Sequence, residues 1–90
     1  MNYAEWYSAG YSLLSFSARK EVALLVEEFD DRDFSSEEAA SCLGKSELEA
    51  YVLLRTLAEL EFARSYELNP PNGAPLFTLW PAARTWFVQQ

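Results

Sequence analysis

Apolar residues recur at helical spacing in three consecutive segments between residues 17 and 61. The first segment predicts a helix that begins at Ser17, as its N-cap, and ends at about Asp30. Its apolar stripe consists of Ala18, Val22, Leu25, Val26 and Phe29. This stripe would pack one face of the helix against the rest of the domain.

Two capping boxes mark the start of the next two helices. Ser35 with Glu38 starts a short helix, which Gly44 ends. Ser46, with its own glutamate three residues later, starts a longer helix that runs to about Glu61. Because a turn of about three residues separates the two helices, the pattern predicts a helix-turn-helix.

The longer helix has two different faces when residues are placed 100° apart. One face should pack inward and carries Ala50, Leu53, Leu54, Leu57 and Leu60. The other should point outward and carries Leu48, Tyr51, Val52, Arg55 and Glu59. In a helix-turn-helix, the outward face is the one that would meet a DNA major groove.

The last third of the chain predicts a β-hairpin. Residues 62–68 and 76–80 are rich in strand formers, and residues 69–75 contain the Pro and Gly that make a turn. Pro81 ends the second strand. Residues 82–88 form either a short closing helix or a further extended segment.

Residues 1–16 are predicted to form an aromatic helix, in which Tyr3, Tyr7, Tyr11 and Leu14 share one face. Gly10 weakens this helix by about 1 kcal/mol relative to alanine. Two interpretations are open. The helix completes the core of a small domain, or Tyr3, Trp6, Tyr7 and Tyr11 form a dimer or partner face, where Tyr and Trp are enriched.

Residues 17–80 resemble the winged helix-turn-helix superfamily of bacterial and archaeal regulators and of many phage proteins. The resemblance rests on the order of the segments FSSEEAA (34–40), LGKS (43–46), LLRTLAEL (53–60) and FAR (62–64). It implies an α+β, mostly helical fold with a three-helix core and a β-hairpin wing. Residues 1–16 would be an N-terminal extension, and residues 81–90 a tail that packs on the domain. Glu61 stands where the superfamily commonly has glycine.

The same resemblance places the DNA contacts of the superfamily on the start and outer face of the longer helix and on the wing tip. The matching helix positions are Lys45, Ser46, Glu47, Glu49, Tyr51, Val52 and Arg55. Only Lys45 and Arg55 are basic, and the tip at 69–75 has no Lys or Arg. Phosphate contacts supply most non-specific affinity for DNA, so DNA binding is disfavoured. It remains the alternative, as a dimeric regulator that uses Lys45, Ser46, Tyr51 and Arg55.

The charge of the chain also argues against a polyanionic partner. Its 7 basic and 14 acidic residues give a net charge of −7. Half of the acids fall within 12 residues: Glu27, Glu28, Asp30, Asp31, Asp33, Glu37 and Glu38. This run is either a solubilising surface or a patch for a basic partner, which could imitate the phosphates of nucleic acid.

Several function classes lack their characteristic residues. The chain has no histidine, no glycine-rich phosphate loop and no Cys/His cluster, so we expect no enzyme activity, no cofactor and no metal. The single Cys42 fits a reducing cytoplasm and a packing role. Without a long apolar run or a basic leader, we expect a cytoplasmic protein that does not bind membranes.

We therefore expect a small protein that acts through protein–protein contact, as an adaptor, regulator or inhibitor. Leu48, Tyr51 and Val52 would be buried by the partner, which in one version is a nucleic-acid-binding protein. Orientation would come from charged residues: Arg55, Glu27, Glu28, Asp30, Asp31 and Asp33. In a third interpretation, residues 1–16 or 81–90 simply cover the outward face, and Leu48 and Val52 belong to the core.

Overall fold

The computed structural model describes residues 2–66 and 75–90, and its fold is α+β and mostly helical. The elements in chain order are α1 (Tyr3–Leu13), α2 (Phe16–Phe29), β1 (Phe34–Ser35), α3 (Ser36–Leu43), α4 (Glu47–Glu59), β2 (Ala63–Tyr66), β3 (Leu76–Leu79) and α5 (Pro81–Val88). The predicted turn at 69–75 lies outside the described residues except for Pro75.

Both predicted capping boxes are present. The Ser35 hydroxyl accepts a hydrogen bond from the backbone N–H of Glu38, whose carboxylate accepts one from the N–H of Ser35. Ser46 makes the same reciprocal pair with the glutamate at the third position of α4. Gly44 ends α3 in the left-handed conformation, with φ of 66°. The predicted helix-turn-helix segment is therefore confirmed as two capped helices joined by a short turn.

Helix α2 begins two residues earlier than the sequence predicts. Its N-cap is Ser15, whose hydroxyl accepts from the N–H of Ala18 at 3.1 Å, so the assignment of Ser17 as the cap is wrong. The predicted end is correct, because Phe29 is the last helical residue and Asp30 is the C-cap. Neither serine is followed by an acidic residue three positions later, so no capping box distinguishes them in the sequence.

The three strands form one antiparallel sheet in the order β1-β3-β2. β2 and β3 are the predicted hairpin strands, with Ala63 opposite Leu79. The two-residue strand β1 was not predicted, and it brings Phe34 opposite Phe77 on the central strand. This pairing ties the start of α3 to the hairpin, so the sheet closes one side of the helical core.

The aromatic helix α1 and the closing helix α5 complete the core. Tyr7 stacks on Phe62 with ring centroids 5.4 Å apart, and Tyr11 meets Phe87 edge-on at the same distance. Gly10 is buried against Phe62: a Cβ at position 10 would lie 3.1 Å from that ring. Residues 82–88 are thus part of a helix, and part of the 1–16 segment packs into the domain.

Helix α4 ends in a left-handed turn at Glu61, which has φ of 63°. The N–H of Phe62 donates to the carbonyl of Leu57 at 2.9 Å, and the N–H of Glu61 donates to that of Ala58 at 3.1 Å. This pair of bonds is the Schellman motif, which usually has glycine at the left-handed position. The turn directs the chain from α4 into β2.

Candidate interaction surface on helix α4

The outward face of α4 is apolar and open to solvent. Leu48 is 72% exposed and Val52 is 57% exposed, and they lie one helical turn apart. The opposite face of α4 is fixed in the core by Ala50, Leu53, Leu54 and Leu57. Because that buried face anchors the helix, the exposed side chains are held in a defined arrangement. The predicted inward and outward faces of α4 are confirmed for these residues.

The side chain of Tyr51 is less exposed to solvent than the helical pattern predicts. It is half-buried, and its ring meets Phe77 of β3 edge-on with centroids 6.3 Å apart. The sheet lies under this edge of α4 and contacts the tyrosine from the side. Tyr51 therefore joins the core to the surface, while Leu48 and Val52 are the freely presented apolar side chains.

The interpretation that residues 1–16 or 81–90 cover this face is wrong. Leu48 and Val52 are exposed with both segments in place. Helix α1 packs on Phe62 and on α5 instead of on the outward face of α4. The apolar face is thus a feature of the surface and not a hidden part of the core.

Lys45, the first of the two basic residues near this face, is already paired. Its ammonium forms an ion pair with Glu21 of α2, and both side chains are largely buried. The second, Arg55, is exposed on the outward face of α4. A phosphate approaching Lys45 would have to compete with the carboxylate of Glu21, so the face offers one accessible basic side chain and not two.

Ser46 is committed to capping α4. Its hydroxyl accepts from the N–H of Glu49 and donates to the carboxylate of Glu49 at 2.8 Å. The side-chain and backbone hydrogen bonds from Ser46 lower the pKa of Glu49 below its ordinary value. The charged glutamate therefore stays beside the start of α4, where it opposes an incoming anion.

The four N-terminal aromatic residues do not share one open face. Tyr3 and Trp6 are exposed, and the Trp6 indole N–H donates to the carbonyl of Leu60 at 3.0 Å. Tyr7 is buried and Tyr11 is half-buried, and burial raises the pKa of the Tyr7 hydroxyl. The proposed partner face at Tyr3, Trp6, Tyr7 and Tyr11 is therefore corrected at Tyr7, whose ring belongs to the core.

The acidic run follows the end of α2, the loop before β1 and the first turn of α3. Glu27, Glu28, Asp30, Asp31 and Asp33 are all exposed, and Asp30 also accepts a hydrogen bond from Arg84 of α5 at 2.6 Å. Glu37 and Glu38 stand at the N-terminus of α3, where the helix dipole stabilises acids. Arg32 donates to the Glu28 carbonyl and lies over the Phe29 ring. Part of the run thus has structural uses.

A shallow groove beside this run contains Glu27, Glu28, Glu37, Glu38 and the half-buried Cys42. Burial, and then the charge of Glu28, raise the pKa of the Cys42 thiol. Across residues 2–66 and 75–90, no three His, Cys, Asp or Glu side chains are grouped to hold a metal ion. The groove is acidic and suits a basic side chain more than a metal or an anion.

The Lys45–Glu21 pair was missed by sequence reasoning. The two residues are 24 positions apart, and their contact depends on how α2 crosses the turn before α4. The only sequence signal was an isolated lysine in an acidic segment, which does not identify its partner.

Among the described parts of the chain, no helix has both the length and the apolar character to cross a membrane. Comparisons of the chain with protein families, with curated proteins and with solved structures found no match.

Proposed function

We propose that this chain is a small acidic winged-helix module that binds another protein through the outward face of α4. The observation that carries the proposal is the exposure of Leu48 and Val52, one turn apart on a helix whose other face is buried. Contiguous apolar patches on a surface mark protein–protein contact sites, whereas single exposed apolar residues are ordinary.

The arrangement of elements supports the winged-helix assignment. The short strand β1 precedes α3, α4 follows a tight turn, and β2 and β3 form the hairpin beside it. This order is compatible with the resemblance drawn from residues 17–80. In such a fold α4 occupies the position of the recognition helix, so its outward face is the natural binding surface.

Electrostatics favour a protein over a nucleic acid. Lys45 is neutralised by Glu21, and Glu47 and Glu49 flank the exposed apolar pair. The chain carries a net charge of −7, which disfavours association with a polyanion. A protein surface with an apolar cleft and basic rim would match the same face.

The energy available from this contact is substantial for two side chains. Complete burial of a leucine or valine contributes about 1.5–3 kcal/mol each. Arg55 and the acidic residues would then set the orientation and accelerate encounter with a basic partner. A cytoplasmic nucleic-acid-binding protein has the required basic surface, and the acidic module would occupy it in place of phosphates.

The test is capture of partners by the immobilised full chain, with identification of bound proteins by mass spectrometry. Leu48→Glu should remove a specific partner that the unmodified chain retains. The matched control is Leu13→Glu, because Leu13 is 76% exposed and lies on α1. Equal capture by the Leu48→Glu variant and the unmodified chain would contradict the proposal. Tyr51→Ala is a poorer probe, because Tyr51 also packs on Phe77.

A dimeric DNA-binding regulator is the second candidate, and the exposed Arg55 on the outward face of α4 favours it. Two copies would bring two such arginines to a duplex. This function predicts salt-sensitive binding of labelled random duplex DNA, measured by fluorescence anisotropy, that Arg55→Ala removes. Absence of binding at about 50 mM salt, where phosphate contacts are strong, would exclude it.

A further inference from the structure

A second apolar surface, distinct from the outward face of α4, lies in an open groove between α2 and α5. The groove has a volume of about 830 Å³. Tyr11, Val26 and Phe87 contribute partly or largely buried rings and methyl groups to it. Phe16 and Val88 also line it and are 79% and 74% exposed. Two large apolar side chains are therefore presented to solvent beside an apolar floor.

The side of α2 that borders this groove carries a regular stripe. Phe16, Lys20, Ala23 and Glu27 are spaced by four, three and four residues. At 100° per residue they fall within an arc of about 60°. The stripe has a basic side chain toward the N-terminus of α2, a small side chain in the middle and an acidic side chain toward the C-terminus.

We propose that the groove is occupied by a second copy of this chain, with the two α2 helices packed antiparallel. A two-fold axis close to Ala23 places Lys20 of each copy beside Glu27 of the other. The same axis places Phe16 of each copy at the far end of the groove on the other copy. Such a contact is isologous, because the same surface is used by both copies.

The other charges of the groove are already held within the chain. The Arg19 guanidinium lies 4.2 Å from the centre of the Tyr11 ring, and its Nε donates to the Tyr11 carbonyl at 3.1 Å. The Asp30 carboxylate is 75% exposed but forms an ion pair with Arg84. Among the described residues, Lys20 and Glu27 are exposed and form no ion pair, so they are the unpaired charges of the groove that an incoming helix would meet.

The order of these charges favours an antiparallel copy of the chain over a uniformly charged helix. An antiparallel copy opposes Lys20 with an acid and Glu27 with a base at the same time. A uniformly basic or acidic helix would match one of them and oppose the other with a like charge. The small Ala23 at the centre lets two helix axes approach to about 8–10 Å.

The length of α2 is sufficient for this pairing. Its 14 residues extend for about 21 Å, which is close to four turns. Each copy has a net charge of −7, and this repulsion opposes association. The expected product is therefore a weak, reversible dimer whose formation depends on protein concentration.

Sedimentation equilibrium of the full chain and of two charge-reversal variants tests the proposal. Lys20→Glu and Glu27→Lys should each weaken self-association by roughly tenfold, because each places two like-charge pairs across the axis. An equimolar mixture of the two variants should form a heterodimer, since both of its pairs are then attractive. The double variant should also regain self-association.

The matched control is Arg55→Glu, which makes the same charge change as Lys20→Glu but on α4. It should self-associate like the unmodified chain, as should Leu48→Glu, so failure of this proposal and of the α4 proposal can be distinguished. A chain that stays monomeric at about 0.5 mM would overturn the inference, since a dimer with a millimolar Kd is already detectable there. Failure of the single variants to associate with each other would overturn it as well.

Discussion

Replacement of Glu61 by glycine should stabilise the protein. Glu61 is the left-handed residue of the turn that ends α4, with φ of 63°. Residues that have a Cβ adopt this backbone conformation only under strain. The turn is held by two backbone hydrogen bonds, from Phe62 to Leu57 and from Glu61 to Ala58. Glycine can keep both bonds and lose the strain.

The gain is the difference between two opposing contributions. A residue with a Cβ in the left-handed region costs roughly 1–2 kcal/mol. Glycine removes this strain but costs roughly 0.5–1 kcal/mol of its own, because it loses more conformational freedom on folding than a residue with a side chain. The midpoints of these two ranges differ by about 0.75 kcal/mol, so the free energy of unfolding of Glu61→Gly should rise by about that amount and Tm by about 3–6 °C for a chain of this size.

The assay is guanidinium unfolding followed by far-UV circular dichroism, with Glu61→Ala as the matched control. Alanine removes the carboxylate but keeps the Cβ, so its stability should lie within about 0.5 kcal/mol of the unmodified chain. The midpoint should increase for the glycine variant with no change in the m-value. A glycine variant no more stable than the alanine variant would refute the reasoning, because the left-handed turn would then carry no measurable strain.

Three further predictions concern the caps, the core and the thiol. Gly10→Ala should destabilise the chain by up to about 2 kcal/mol in thermal unfolding, because the clash of the added Cβ with the buried Phe62 ring at 3.1 Å costs about 1–3 kcal/mol and the better helix propensity of alanine regains about 1 kcal/mol. Ser46→Ala should cost about 1 kcal/mol in chemical denaturation. The pKa of Glu49 is lower in the folded chain than its ordinary value of 4.5, so ionised Glu49 stabilises the folded chain. This stabilisation is fully present above pH 4.5 and is lost as the pH falls through the folded-state pKa. The stability lost on acidification should therefore be smaller in Ser46→Ala than in the unmodified chain. Cys42, whose pKa burial raises, should react with a disulfide reagent at pH 8 more slowly in the folded than in the unfolded chain.

The local signals in the sequence predicted the helical part of the fold well. Ser35, Ser46 and Gly44 identify their caps because side-chain chemistry and backbone conformation are coupled within a few residues. Ser15 and Ser17 could not be distinguished in this way, since either serine can accept from the N–H three residues later. Caps with two reciprocal partners are therefore predicted more securely than caps with one.

The features that depend on distant contacts were not predicted. Strand β1 is only two residues long, and Ser35 already had a local explanation as the cap of α3. Its pairing with Phe77 becomes evident only when the hairpin is placed beside α3. The same sheet turns Tyr51 from an outward side chain into a half-buried one. A helical projection describes one element and cannot show which of its edges a neighbour contacts.

The candidate surface was predicted in part. Leu48 and Val52 lie where the helical pattern placed them, because the opposite face of α4 is apolar enough to fix its rotation. The ion pair of Lys45 with Glu21 came from the packing of α2 against the turn before α4, which no local pattern indicates.

A photo-crosslinking amino acid at position 48 tests most directly whether the outward face of α4 contacts a protein, as we propose. The residue is introduced at position 48 and, as the matched site, at the equally exposed position 13. Irradiation in extract should give one discrete protein adduct from position 48, none of the same mass from position 13, and loss of that adduct with Val52→Glu. The same adduct from both positions, or cross-linking at position 48 to duplex DNA in place of protein, would contradict the account.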